Sequence, residues 1–197
     1  MPRRFIAVLV ASSVLAAAPA LAERTNSIGL GYRQTTTPIG VRWWLSPRLG
    51  LDVGFGVNAE KAQAEVDLVA PFDGVPDTRV TDTLAGWTVN VGTPWPAWVG
   101  SNVRVLLHPG FEYHSEDDFD SFLANGSRVK RNSYAVTGEV EVELNVWDNL
   151  TMSASHGVEF RSTKLNAPGA TSTWTAGTTA SDFFQLGFFV YLWRPKR

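Results

Sequence analysis

Leu49-Gly50-Leu51-Asp52-Val53-Gly54-Phe55-Gly56-Val57-Asn58 alternates without a break, with bulky apolar residues at odd positions and glycine, aspartate or asparagine at even ones. A period of two marks a strand whose faces meet different surroundings, because successive side chains leave a pleated backbone on opposite sides. Val103 to His114 keeps the period: Val103, Val105, Leu107, Pro109, Phe111 and Tyr113 share one face, and Arg104, Leu106, His108, Gly110, Glu112 and His114 the other. Leu106 is the large apolar intruder on the polar side. Ser133 to Val146 repeats the pattern, with Tyr134, Val136, Val140, Val142, Leu144 and Val146 set against a face that carries Glu139, Glu141 and Glu143.

The same template, worked outward, assigns strands to Ser27 to Arg33, Ile39 to Leu45, Thr83 to Thr93, Leu150 to Arg161 and Asp182 to Trp193, which makes eight. Short turns at Ser46 to Arg48, Pro96 to Gly100 and Trp147 to Asn149 alternate with long polar loops at residues 60–80, 115–131 and 164–180. The hairpin at Thr35 to Pro38 falls on the long-loop side yet is short. The expectation is an all-β domain over residues 23–197, an eight-stranded antiparallel up-and-down transmembrane barrel.

The 197 residues carry a formal net charge of −2 and an isoelectric point near 5.9, which gives no reason to expect nucleic acid as a partner. The absence of cysteine excludes disulfides, thiolate nucleophiles and Cys-ligated metals. A mean hydropathy of −0.06 hides the alternation. Residues 1–22 have the form of an export signal: Arg3 and Arg4, an apolar stretch from Phe5 to Ala18, then Ala20-Leu21-Ala22 as a cleavage site. That stretch is short of the ~20 residues a spanning helix needs, so a membrane location for the mature chain would have to come from strands.

The interior of an eight-stranded barrel is just wide enough to be filled by side chains, so the face rich in glycine (Gly29, Gly31, Gly40, Gly50, Gly54, Gly56 and others) is expected inside and the bulky face outside. A continuous apolar belt needs cover, and hydrocarbon provides it. Trp43, Trp95, Trp98, Trp147 and Trp193 lie by the short turns, and Tyr32, Tyr113 and Tyr134 toward the long loops, as aromatic girdles at two interfaces would. In the last strand Gln185, Gly187, Val190 and Leu192 have the spacing polar-x-Gly-x-x-hydrophobic-x-hydrophobic, which resembles the C-terminal signal of outer-membrane barrels. The whole mature chain resembles small eight-stranded outer-membrane proteins such as the OmpA transmembrane domain and the OmpX and OmpW-like groups. The resemblance implies the outer membrane of a Gram-negative bacterium, with both termini in the periplasm and the long loops outside. It also implies outer-membrane lipids, lipopolysaccharide and the barrel-assembly machinery as partners; the chain itself is expected to be a monomer.

The predicted lumen carries Arg33, Arg42, Arg104 and Arg161 against Asp52, Glu112, Glu139, Glu141, Glu143 and Glu159, with Asn58, Asn90, Asn145, Gln185 and Tyr191 among them. Charges in so narrow an interior are expected to pair across it. The sharper reading makes Arg104 and the three glutamates the lining of a narrow pore, although porins with aqueous channels use about sixteen strands. No enzyme activity is expected, because His156 faces away from Ser155 and Glu159 by parity. No cofactor or metal is expected either, since His108 and His114 lie roughly 20 Å apart along one strand. The acidic run from Ser115 to Asp120 lacks the glycine of an EF-hand. The function expected is a structural or surface-interaction barrel with a salt-bridged lumen, with a conduit for small solutes as the alternative.

Overall fold

A computed structural model of the chain describes residues 25–66, 78–119, 128–179 and 184–193, which are almost entirely β. The expected export signal at residues 1–22 lies outside the described residues. The strands are β1 (Ser27–Tyr32), β2 (Ile39–Ser46), β3 (Leu49–Val66), β4 (Thr78–Gly92), β5 (Trp95–Val99), β6 (Val103–Asp118), β7 (Val129–Trp147), β8 (Leu150–Leu165), β9 (Thr173–Thr178) and β10 (Gln185–Trp193). Neighbours pair antiparallel in the order β10-β1-β2-β3-β4-β6-β7-β8, and β10 pairs back onto β8 through Gln185↔Ser155 to Val190↔Leu150, which closes a barrel of eight staves. Closure leaves no free edge around the belt, while β3 beyond Phe55 rises past its β2 neighbour paired with β4 alone.

Two staves are composite, and here the expected turn at Pro96 to Gly100 is corrected. Gly92 pairs with Gly110, the Thr93 amide donates to the Pro109 carbonyl at 3.0 Å, and Trp95 pairs with Leu107, so β5 simply continues β4 along β6. The prolines do not end the strand, because the ladder shifts register between Pro96 and Trp98 and the Pro94 carbonyl accepts from the Gly50 amide at 3.0 Å. The hairpin into β6 then turns at residues 100–102. Likewise β9 covers Val158 to Thr163 of β8 and β10 covers Leu150 to Ser155. The expected loops are therefore shorter than read: much of residues 60–80 and 115–131 is strand, and 164–180 contains β9.

The alternation sorts as its period requires. Val53, Phe55, Val57, Leu107, Phe111, Val136, Val140, Val142, Leu144, Val158, Phe160 and Phe188 are exposed on the outer wall, while Gly50, Asp52, Gly54 and Gly56 are buried. At the loop end Trp87 and Tyr113 approach to 4.9 Å between centroids, as do Tyr113 and Tyr134, and Tyr32 stacks on Phe188 at 6.0 Å. At the turn end Trp43, Trp95, Trp98 and Trp147 are exposed. From Val105 to Tyr113 the strand covers about 27 Å, or roughly 20 Å of height at the usual tilt of about 40°.

The inner face is less uniformly small than the glycines imply. Trp44, Leu106, Phe189 and Tyr191 are buried together at the turn end, and the Trp44 indole Nε1 donates to the Tyr191 hydroxyl at 3.0 Å. At the other end the short β1–β2 hairpin tips inward, so that Gln34 and Thr37 are buried and Thr37 lies against Gly54 on the inner surface of β3. Its closeness requires glycine at 56, where a Cβ would sit 2.0 Å from the Thr36 carbonyl oxygen, a backbone atom that no rotamer change can move. Gly56→Val is expected to expel the tip and lower stability by about 1–3 kcal/mol. A urea titration of the folded gel form would read this, and an unchanged midpoint would show that the tip is not held against β3.

Candidate functional site

The chemistry-bearing residues of this chain meet in the lumen, because parity sends one side chain in two inward and closure brings eight staves within reach of one another. Arg42 on β2 is 1% exposed and Asp52, its register partner on β3, is 0% exposed. The guanidinium spends all five of its N–H donors. Nε reaches Asp52 Oδ1 at 2.9 Å and Nη2 reaches Asp52 Oδ2 at 2.6 Å. Across the barrel Nη1 meets Glu141 Oε1 and Glu143 Oε2, each at 2.8 Å, and Nη2 meets Glu141 Oε2 at 2.8 Å. Its carbon lies 4.6 Å from the centroid of Phe189.

Arg33, carried inward at the base of the tipped hairpin, donates from Nη1 to Asp52 Oδ2 at 2.6 Å and faces both ring nitrogens of His108 at 3.0 and 3.1 Å. His108 is buried 3.3 Å from Asp52 and 3.6 Å from both Glu139 and Glu141. Arg104 lies over Trp44, 5.0 Å from the ring centroid, beside its register partner Glu143. A second, higher cluster joins Arg161 to Glu159 at 3.0 Å and to Glu112 at 2.9 Å, and Gln34 Nε2 donates to Glu112 at 3.1 Å.

All ten charged residues expected in the lumen thus face it. Asn90 and Tyr191 are buried there, Asn145 and Gln185 are half-buried, and Asn58 is exposed where β3 rises past its neighbour. The sequence weighed His108 only as a metal ligand. It belongs to the charge network, and its parity with Arg104 and Glu112 is the signal that places it. Glu112, on the same face of the strand, contacts Arg161 and Gln34, while His114 contacts Thr88 at 2.7 Å and Glu116 at 3.0 Å.

Among the described residues, Asp52, His108 and Glu141 place three metal-ligand atoms within 4.8 Å of one another. Guanidinium nitrogens already take those lone pairs, and cations packed this closely oppose a metal ion between them. At the rim Lys130, 2.7 Å from Asp117, holds that carboxyl below its ordinary range, helped by the Ala85 amide. Arg131 pairs with Asp118, and Arg128 with Asp82 at 2.6 Å.

His156 points outward beside Met152, Val158 and Phe160, whereas Ser153 and Ser155 line the interior. No nucleophile–base contact joins them among the described residues. Of the girdle residues, the Trp193 side chain lies outside what the structure describes. Within β10, Gln185 and Gly187 face inward, Val190 is half-buried and Leu192 faces out.

Little free space is left. A cavity of about 10 Å³ lies between Arg33, Arg42, His108, Glu139 and Glu141, room for one water at most. Another of about 60 Å³ lies above it, lined by Asn90, Glu112, Glu139, Glu159 and Arg161 among others. Comparison with known proteins found no matching family model, no matching curated protein and no matching solved structure.

Proposed function

We propose that this chain is a structural or surface-interaction barrel of the bacterial outer membrane, exported by residues 1–22 and folded with its apolar wall in lipid. The observation that carries the reading is the outer wall itself. Valine, leucine and phenylalanine face outward on every stave, with aromatic rings toward both ends of the belt. Water does not tolerate a surface of that extent on a monomer, and its roughly 20 Å of height from Val105 to Tyr113 falls within the band of about 25 Å that such barrels bury in hydrocarbon.

The lumen supports a structural role over a conduit. The Arg42 cluster and the aromatic group below it fill the cross-section, and ion pairs that span the barrel resist its flattening. Outer-membrane lipids and lipopolysaccharide are the natural neighbours of such a wall, and the barrel-assembly machinery is the partner that would insert it. Among the described residues the exposed rim carries ion pairs such as Lys130–Asp117 and Arg128–Asp82.

Membrane fractionation combined with gel mobility tests the location: the folded chain should pellet with outer membranes and migrate differently once boiled. Planar-bilayer recording tests the lumen. The folded protein is expected to be silent. Conductance steps that vanish in Arg104→Ala or Glu141→Ala would establish the conduit instead.

A further inference from the structure

Above the aromatic row of Trp87, Tyr113 and Tyr134, strand parity sorts the charges of the rim. Among the described strand residues, the face continuous with the apolar wall carries Lys61 on β3, Arg79 on β4, Lys130 on β7 and Lys164 on β8 against Glu65 and Asp117. The face toward the barrel axis carries Glu60, Asp82, Glu116 and Asp118 against Arg131. Cations thus turn outward and carboxylates inward. Charge that served solubility alone would be spread over both faces.

The outward cations come together on β7 and β8. Register partners share a face of the sheet, so Asn132 stands beside Lys164 and Tyr134 beside Ser162. Lys130 is the next outward residue above Asn132, a diagonal neighbour of Lys164 at about 7–8 Å. Its ammonium is half exposed and lies 2.7 Å from buried Asp117, one of three donors spent. Lys164 is exposed with no carboxylate partner among the described residues. Asn132 accepts the Tyr113 hydroxyl on Oδ1 at 3.3 Å, which leaves its amide nitrogen to donate outward. Asp117, the carboxylate on this side, is already taken by Lys130 and by the Ala85 amide. What remains on offer is positive charge and N–H donors. Directly below them Tyr134, Val136, Val158 and Phe160 are exposed.

We propose that Lys130, Lys164 and Asn132 form a binding site for the phosphate headgroup of an anionic membrane lipid, whose acyl chains lie down the wall along Tyr134, Val136, Val158 and Phe160. The proposal rests on the lipid-facing reading of that wall. Two ammonium groups on flexible stems at this spacing can close on one phosphate, and hydrogen bonds from charged donors to phosphate are the strong kind. The height also fits. Lys164 stands two residues above Ser162, the partner of Tyr134, which is about 7 Å along the strand and about 5 Å of height at the usual tilt, a headgroup's distance above an aromatic girdle. A headgroup with its own amine brings a competing cation into the same space, so an amine-free phosphate is the preferred ligand.

The test uses the folded protein in a non-ionic detergent, with bound lipid counted by native mass spectrometry during titration with diphosphoryl lipid A, phosphatidylcholine or inorganic phosphate. Lipid A is expected to bind at least about tenfold more tightly than phosphatidylcholine, and the double variant Lys130→Gln with Lys164→Gln should lose at least about tenfold of that affinity. Lys130→Arg with Lys164→Arg should keep it. Arg48→Gln, exposed at the opposite end of the barrel, should change nothing. Equal binding of the two lipids would overturn the proposal, as would lipid A binding that the double glutamine variant leaves intact; inorganic phosphate bound as tightly as lipid A would make this a site for a free anion instead. Insertion into phosphatidylcholine vesicles, read by the folded gel form, checks the lipid-facing wall separately: a chain that inserts there without preferring phosphate loses this site alone. Retention of the folded gel form by each variant separates lost binding from failure to fold.

Discussion

Arg42→Met is expected to destabilise the barrel by about 3–5 kcal/mol, the cost of leaving buried charges without their partner. Met nearly matches the aliphatic stem, so packing changes little, but Asp52, Glu141 and Glu143 all lose donors at 2.6 to 2.9 Å in a space where water has almost no room. Arg42→Lys should recover only part of the loss, because an ammonium cannot present five donors in a planar fork to three carboxylates. Neutralising the acceptors as well, with Asp52→Asn, Glu141→Gln and Glu143→Gln in the Arg42→Met background, should restore much of it, since the penalty lies in uncompensated charge. Urea unfolding of the folded gel form in liposomes measures each variant. A single Arg42→Met change costing less than about 1 kcal/mol would mean that the cluster is hydrated.

Val140→Arg is expected to cost about 2–4 kcal/mol in a bilayer, whereas the same change at Val57 should cost about 0–1. Val140 is exposed on the outer wall between Leu107 and His156, well inside the belt, while Val57 pairs with Trp87 at the loop-end aromatic row. Depth is therefore the variable. On a water-exposed wall both substitutions would fall within about 0.5 kcal/mol of neutral. Equal costs at the two positions, measured in lipid, would remove the lipid-facing assignment of the bulky side chains.

Alternation was legible where the faces of a strand differ in what they meet, and only there. Leu49 to Asn58 reads cleanly because one side packs the lumen and the other is apolar wall. Ala59 to Val66 continues the same strand, paired from Ala59↔Ala85 to Val66↔Thr78, yet Glu60, Lys61 and Glu65 fall on both faces and the period disappears. Once both faces meet water, backbone pairing persists without a hydropathic trace. The same holds for Val129 to Asn132 on β7 and for Ser162 to Leu165 on β8. Pro94 and Pro96 concealed β5, because proline in a sheet ordinarily marks an end and nothing local announces that Gly50 will pair with the Pro94 carbonyl.

Parity told which charges turn inward but not which of them meet. Arg42 finds Glu141 and Glu143 from 99 and 101 positions away, a matter of stagger around the closed barrel rather than of any local spacing. The inward Trp44 was half-legible: in the tandem Trp43-Trp44 one ring must face the lumen, and filling a lumen end with indole beside Tyr191 is a choice that composition does not display.

That same reach across the chain bears on timing. The Arg42–Asp52 contact belongs to one hairpin and can form as soon as β2 meets β3, whereas the carboxylates of β7 reach the guanidinium only when the last staves arrive. Contacts made after the rate-limiting barrier slow escape without hastening entry. The β7 half of the arginine cluster is thus expected to act as a latch on lifetime: neutralising Glu141 or Glu143 should raise the unfolding rate more than it lowers the folding rate.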